Sequence, residues 1–367
     1  MSAAADSYWS DISGLQHLGT PGLLFDLDRI GHNIRTMIQT VGGPDHVGRL
    51  RPHVKTVKSS TIIRMQVDAG IRQFKAATVS EARAAAMAGA DDVMLAHQLP
   101  GVKFTRLLQL AQSNPRTLFS TVVDNAATLT EIEQAVATHS KPFPVWIDVD
   151  CGMHRTGIEL GDGAAELQSR IERSPVLKFA GLHVYDGHIH DADIDARQRQ
   201  VDTILDSIRD YTSSHACPAI VCGGSPTFGL YAAQTDYQCS PGTNVLWDIG
   251  YANSYAEMPH QIAAALVTRV ISHPTANTWC LDLGYKAVAS EMPLPQRVML
   301  PSVPDAMFCG HSEEHMVIET ERPLSIGQTL VSLPKHICPS VALYGKATII
   351  ENGCATDRII EIDARDR

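Results

Sequence analysis

Over the first 250 or so residues, short apolar runs alternate with longer stretches in which apolar residues recur every three or four positions. The run "GLLFDLD" leads into "RIGHNIRTMIQTVG". "RLRPHVK" precedes "STIIRMQVDAG", and "QFKAAT" precedes "VSEARAAAMAGA", an Ala-rich helix for which Ser80 is the expected cap. "DDVMLAHQ", "TLFSTVVD", "PVWIDVD", "LKFAGLHVYD", "AIVCGG" and "YQCSPGT" continue the series, most of them followed by a helical pattern such as "IDARQRQVDTILDSIRDYTSSH". Counted from "RLRPHVK", these are eight strands with a helical segment between neighbours. Repeated strand-then-helix order predicts a parallel sheet, and eight such units predict a closed (β/α)8 barrel. The competing open, doubly wound sheet lacks its usual signal here, a G-x-G-x-x-G turn after the first strand.

After about residue 255 the pattern changes. "AALVTRVISH", "TWCLDLGYKAVAS", "EHMVIETE", "QTLVSLPKHI", "ALYGKATIIENG" and "DRIIEID" are short β-type runs broken by Pro and Gly, which predicts an antiparallel β domain. The expected division is a barrel over residues 20–250, with 1–19 and 251–367 forming the β domain.

Composition narrows the classes. The formal net charge is −10, from 40 acidic against 30 basic residues, with no Lys/Arg block, so a nucleic-acid surface is not expected. No apolar run approaches the ~20 residues of a membrane span. The stretch "MSAAADSYWSDISG" has no basic segment followed by an apolar core, so the expected location is cytoplasmic. Eight scattered cysteines in a chain of this size are expected as reduced thiols.

In a (β/α)8 barrel the chemistry lies where strands end. The first predicted strand ends at His53 and Lys55; the fifth in "DVDCGMHRTG", with Asp150, His154 and Arg155; the sixth in "HVYDGHIHD", with His183, Tyr185, His188 and His190. The seventh and eighth end in "CGGSPT" and "SPGTN", Gly/Ser/Thr-rich turns of the kind whose N–H groups cradle phosphate. A lysine, an arginine and a phosphate site on one rim point to pyridoxal phosphate (PLP), with the lysine holding the cofactor covalently.

The set "TPGLLFDLDRIGHNI", "RPHVKTVK", "DVDCGMHRTGI", "VYDGHIHD", "GGSPTF", "SPGTNVLWD", "DLGYKAV", "SEEH" and "PKHICPSVALY" resembles the D-threonine aldolase / D-serine dehydratase family from about Thr20 to the C-terminus. That resemblance implies a barrel of the alanine-racemase type (PLP fold type III). It makes Lys55 the cofactor-bearing lysine and Arg155 the arginine beside the cofactor ring. Ser225 and Thr227, with the backbone of Gly223, Gly224, Gly242 and Thr243, become the phosphate cradle, and Tyr185 adds a hydroxyl. It makes His336 and Cys338 a metal pair. An imidazole and a thiolate two residues apart on an extended segment suit Zn2+, with Mn2+ and Mg2+ as alternatives. The sequence departs from the family at Val57, where a His is usual, and at Ser240, where alanine racemases carry an arginine meeting the pyridine nitrogen.

The implied activity is that of a lyase on a β-hydroxy-D-amino acid, a small molecule, with a homodimer as the assembly allowed for. In aldol cleavage His188 takes the hydroxyl proton, and glycine and an aldehyde result. In dehydration Lys55 takes the Cα proton, and a keto acid and ammonia result. Aldol cleavage is narrowly favoured. The His/Cys pair speaks for dehydration, and an amino-acid racemase is the third reading. Glu314 and His315 are further candidates from the β domain; Lys58, His53, His154, His183 and His190 are read as structural.

Overall fold

The computed structural model describes residues 7–139 and 141–367. Residues 1–6, part of the stretch read above for a leader, lie outside the described residues. The chain divides into two compact units. One comprises Met37–Lys55, Ile62–Gly242 and Asp366–Arg367; the other takes in the chain up to Thr36, Thr56–Thr61 and Thr243–Arg365.

Strands are numbered along the chain, with β1 at Gly22–Asp26. The first unit is a curled parallel sheet of β2 (Gln73–Ala76), β3 (Asp92–Leu95), β4 (Leu118–Val123), β5 (Phe143–Val149), β6 (Leu177–Val184), β7 (Ile220–Cys222) and β8 (Gln238–Cys239), in that order. Helices Val79–Met87, Val102–Ser113, Ala126–Val136, Asp162–Arg173, Ile194–Ser214 and Phe228–Gln234 lie between consecutive strands. The eighth member is reduced. "RLRPHVK" forms no continuous strand, but Leu50 bridges Cys239 and His53 bridges Lys75. Pro52 has no N–H to give; its carbonyl accepts from Lys75 N–H, while Arg51 and His53 N–H reach Cys239 and Pro241 carbonyls. The ring therefore closes through alternate residues of one short segment.

Arg51 braces that closure. It is fully buried, and its guanidinium holds Asp92 at 2.7 and 3.0 Å, Gln73 at 2.7 Å and Gln238 at 2.8 Å. Those three residues begin β3, β2 and β8, so one side chain ties the N-terminal ends on both sides of the gap. Met94, Val122, Trp146 and Val221 fill the interior. The helix after β2 starts with a capping box, not with Ser80. Thr78 accepts from Glu81 N–H at 3.1 Å, and Glu81 returns a bond to Ala77 N–H at 2.7 Å.

The second unit is a mixed sheet in the order β12 (Met307–His311), β13 (Met316–Glu319), β10 (Thr278–Leu281), β9 (Ala264–Thr275), β1, β15 (Lys346–Glu351), β16 (Cys354–Glu361). β14 (Thr329–Pro334) pairs with β9 and with β11 (Val298–Met299). All these pairings are antiparallel except β1 with β15. Trp9, Leu24, Trp247, Ile262, Val267, Leu333 and Ile350 pack its core. All eight cysteines are free thiols. Among the described residues no helix is long and apolar enough to cross a membrane.

Candidate active site

In the barrel unit the polar residues at the strand ends gather around Tyr185, just beyond β6. Three cations face its ring: Arg155 at 5.1 Å from the centroid, Lys75 at 5.2 Å and Lys55 at 5.7 Å. Lys55 comes from the closing segment, and its N–H donates to His53 Nδ1 at 3.3 Å. Room for the tyrosine comes from a glycine. A Cβ on Gly187 would stand 2.5 and 2.6 Å from ring carbons of Tyr185 and 2.7 Å from its hydroxyl oxygen, closer than side chains approach.

Arg155 is exposed, and the carboxylates nearest it in sequence have other partners. Asp150 accepts from Gly152 N–H at 3.0 Å, from His154 N–H at 2.9 Å and pairs with the His154 ring at 2.9 Å. Asp148 holds His183 and Gln98, each at 2.7 Å. The loop turns back at Gly157, whose φ of +104° and whose distance of 2.4 Å from a built Cβ to Asp150 N exclude a side chain. His188 packs over the same loop, with Nε2 3.2 Å from where a Cβ on Gly152 would lie; its buried Nδ1 has no partner among the described residues.

The two glycine turns are tied together. Gly242 N–H donates to Ser225 Oγ at 3.2 Å, and Gly224 N–H donates to Thr227 Oγ1 at 3.0 Å. Gly223 has φ +79°. Ser240 Oγ is buried and has no partner among the described residues, and a buried hydroxyl of that kind calls for a bound polar group. Asp186 is wholly buried; burial pushes its carboxyl up against the pull of the Thr227 and Tyr231 hydroxyls. An orphaned hydroxyl, two joined glycine turns and three cations round one aromatic ring fit an anionic planar cofactor such as PLP. Lys55 would hold it covalently and the turns would receive its phosphate.

Lys75 was not among the expected site residues. It sits on β2, 3% exposed, with Nζ 3.4 Å from His183 Nε2. His183 Nδ1 lies 2.7 Å from Asp148 Oδ1. Burial, then the charge of Lys55, brings the Lys75 ammonium down to about 7. Burial and the neighbouring Lys75 also push His183 down. Burial opposes ionisation of Asp148, but hydrogen bonds from His183 and Gln98 outweigh it and hold the carboxyl below its usual value. The sequence signal was available: a strand of a parallel barrel is buried on both faces, so a lysine within one is out of place unless it has a task.

The second unit carries the other cluster. Cys338 Sγ lies 3.1 Å from Thr56 Oγ1 and 3.3 Å from Thr243 Oγ1. The Thr243 hydroxyl is thus engaged at the sulfur. His336 Nδ1 is 2.8 Å from Glu291 Oε1. A hydrogen bond with Cys338 raises His336 to about 9. Burial opposes ionisation of Cys338, and the His336 hydrogen bond outweighs it, so the thiol is lowered. Among the described residues no three His, Cys, Asp or Glu side chains are grouped to hold an ion. His336 and Cys338 supply two borderline-soft donors, which suits a zinc-like ion completed by water or substrate. Glu314 pairs with Lys286 at 3.1 Å on the surface, and His315 offers its carbonyl to Ser312 N–H at 2.9 Å.

Comparison with known proteins bears on the family and the fold. Residues 263–350 match a putative serine dehydratase domain. The D-threonine aldolase of an Arthrobacter species is 28% identical over 96% of this chain and 94% of its own. The D-threo-3-hydroxyaspartate dehydratase of Delftia sp. strain HT23 is 26% identical over 89% of this chain and 93% of its own. The crystal structure of D-threonine aldolase from Filomicrobium marinum superposes with a TM-score of 0.87 at 23% identity, covering 96% of each chain. A cysteine-to-alanine mutant of a D-threo-3-hydroxyaspartate dehydratase, solved in its metal-free form, superposes at 0.77 with 22% identity, covering 95% of this chain and 98% of that one. The match to the alanine racemase N-terminal domain runs over residues 25–245, more than half of the sequence, and the chain belongs to that family.

Proposed function

We propose that this protein is a PLP-dependent lyase of β-hydroxy-D-amino acids, cleaving them to glycine and an aldehyde as a D-threonine aldolase does. The observation that carries the reading is the Tyr185 cluster, where Lys55 and Arg155 face one ring and Ser225 joins the two glycine turns. Bound there, PLP supplies an electron sink for a bond broken at Cα. Lys55 holds the cofactor and Arg155 borders its ring. Gly223, Gly224, Gly242, Thr227 and the Thr243 backbone cradle the phosphate. His188, whose Nδ1 is unsatisfied, is the base for the substrate hydroxyl. His336 and Cys338 hold a divalent ion, with Zn2+ as the first choice on donor chemistry.

A second reading, dehydration to a keto acid and ammonia, is supported by the serine dehydratase match, which lies within the unit that carries the His/Cys pair, and by the dehydratase among the relatives. The deciding experiment incubates the purified protein, PLP and Zn2+ with D-threonine, D-serine and D-threo-3-hydroxyaspartate and identifies the products. Glycine with an aldehyde supports the first reading, a keto acid with ammonia the second, and inversion at Cα without either refutes both. The working form proposed is a cytoplasmic enzyme, with a homodimer as the assembly to check by light scattering.

A further inference from the structure

Among the described residues the Arg155 guanidinium makes no hydrogen bond or ion pair and faces the Tyr185 ring at 5.1 Å. Three carboxylates nevertheless border its loop, and an arginine beside a carboxylate ordinarily pairs with it. Here the loop itself occupies them. Its base is closed by Ile158 N–H donating to the Asp148 carbonyl at 2.9 Å and Asp150 N–H donating to the Ile158 carbonyl at 3.1 Å. Asp150 takes the N–H groups of Gly152 and His154 and holds His154 at φ +53°, a left-handed backbone that a residue other than glycine keeps only when its surroundings impose it. Asp148 takes the Thr156 side chain. Asp124, at the end of β4, takes Gly157 N–H on Oδ2 at 3.0 Å. The residue before Arg155 and the two after it each hang on a different carboxylate.

Gln98, three residues beyond β3, lies between two of these carboxylates. Its Nε2 donates to Asp124 Oδ2 at 3.0 Å and to Asp148 Oδ2 at 2.7 Å. Two neighbouring carboxylates repel, and the two N–H bonds of one amide offset that repulsion. The other oxygens are also taken, Asp124 Oδ1 by Asn125 Nδ2 and Asp148 Oδ1 by the His183 ring, each at 2.7 Å. All four oxygens thus have a donor already, and none calls for the guanidinium.

We propose that Gln98 and Asp124 are positioning residues for Arg155: the amide binds together the carboxylates on which the loop hangs, and so keeps an unpaired guanidinium facing the Tyr185 ring. The inference rests on the reading of Arg155 as the arginine beside the cofactor ring. Neither residue acts on the cofactor except through Arg155.

Two measurements test this. The first is hydrogen exchange of the cofactor-free protein, read by peptide mass over residues 151–158 and over β4 and β6. Q98M keeps the length of the side chain and removes no hydrogen bond of the loop itself. It should still speed exchange in 151–158 about tenfold or more, the factor for losing a hydrogen bond to a charged group, with the strands unchanged. The second is PLP affinity, read from the absorbance of the bound cofactor. Q98M, D124A and R155A should each weaken it about tenfold, and Q98M combined with R155A should bind no more weakly than R155A alone, because the two act as one unit. A merely structural glutamine would leave the loop exchanging in step with the strands and would add its full loss to that of R155A; either result overturns the proposal. D124A, alone and with R155A, takes the place of Q98M if that variant fails to fold by circular dichroism. Native PLP affinity in R155A would mean that the reading of Arg155 has failed, and loop exchange in Q98M would still report on Gln98 separately.

Discussion

Replacing Lys75 by methionine should stabilise the protein at neutral pH and destabilise it at high pH. Methionine keeps the length and the apolar stem and removes the amine. Lowering the amine from 10.5 to about 7 corresponds, at about 1.4 kcal/mol per pH unit, to a ceiling of about 5 kcal/mol against folding with the group charged. The substitution also leaves His183 Nε2 without its partner, a loss of about 1–2 kcal/mol for a buried acceptor. The net gain at pH 6–7 is then about 2–4 kcal/mol. Between pH 7 and 10.5 the unfolded chain keeps a proton that the folded chain has shed, so the stability of the native sequence rises with pH through that window. The advantage of K75M therefore shrinks as pH rises, and by pH 10.5 only the lost hydrogen bond remains, a deficit of about 1–2 kcal/mol. Urea unfolding of the cofactor-free protein at pH 6, 7, 8, 9 and 10, followed by circular dichroism, measures the crossing. A constant deficit at every pH would mean that Lys75 is a well-compensated ammonium and would refute the argument.

Removing Arg51 acts in the opposite sense. Arg51→Met leaves Asp92 without its bidentate partner and unties three strand starts, so a loss of about 3 kcal/mol or more is expected in the same unfolding assay. Glu291→Gln frees His336 Nδ1 from a carboxylate and should weaken metal binding about 10–100-fold in a chelator competition, with cofactor absorbance unchanged. Chelation, His336→Ala and Cys338→Ala should each abolish turnover yet leave PLP bound; loss of the cofactor with the metal would contradict separate sites for the two. Turnover should be confined to one configuration at Cα, the D form. Misplacing the substrate oxygen by about 1 Å costs on the order of a hundredfold in rate, and equal rates on D- and L-threonine would favour a racemase instead.

Much of the site could be read before the fold was known, because the residues that end parallel strands face one rim. That rule puts Lys55, Arg155, Tyr185, His188 and the two glycine turns at strand ends beside His53, His154, His183 and His190, and the family resemblance singled them out. What escaped lies inside strands. Lys75 and Asp148 sit in "QFKAAT" and "WIDVD", apolar runs in which a single polar residue hardly changes the pattern, and His183, visible at the end of the sixth strand, was read as structural. Pairing partners escaped too. The pattern of "GLLFDLD" says strand but cannot say that it runs parallel to β15 and antiparallel to β9, since those partners lie more than 200 residues away. The Thr78–Glu81 capping box was legible from spacing alone, and Ser80 was the less apt choice because its position two residues inside the first turn leaves no free N–H for it to cap.

The barrel's closing segment sets where this protein should breathe. Leu50–His53 is held on one side by Arg51 and His53 N–H, and on the other by Lys75 and Val54 N–H, whereas β5 and β6 pair along seven positions. Local opening starts where the fewest hydrogen bonds must break. The amides of residues 51–54 should exchange with solvent ahead of the strands opposite, and a protease present during such excursions should cut there first. Lys55 rides on this seam. A group bonded covalently to Lys55 and held by phosphate in the turns near β7 and β8 would bridge the gap and suppress the opening. Occupancy of the site and the lifetime of the folded barrel would then be two readings of one equilibrium, and loss of the cofactor would appear first as exchange at the seam, before any loss of secondary structure.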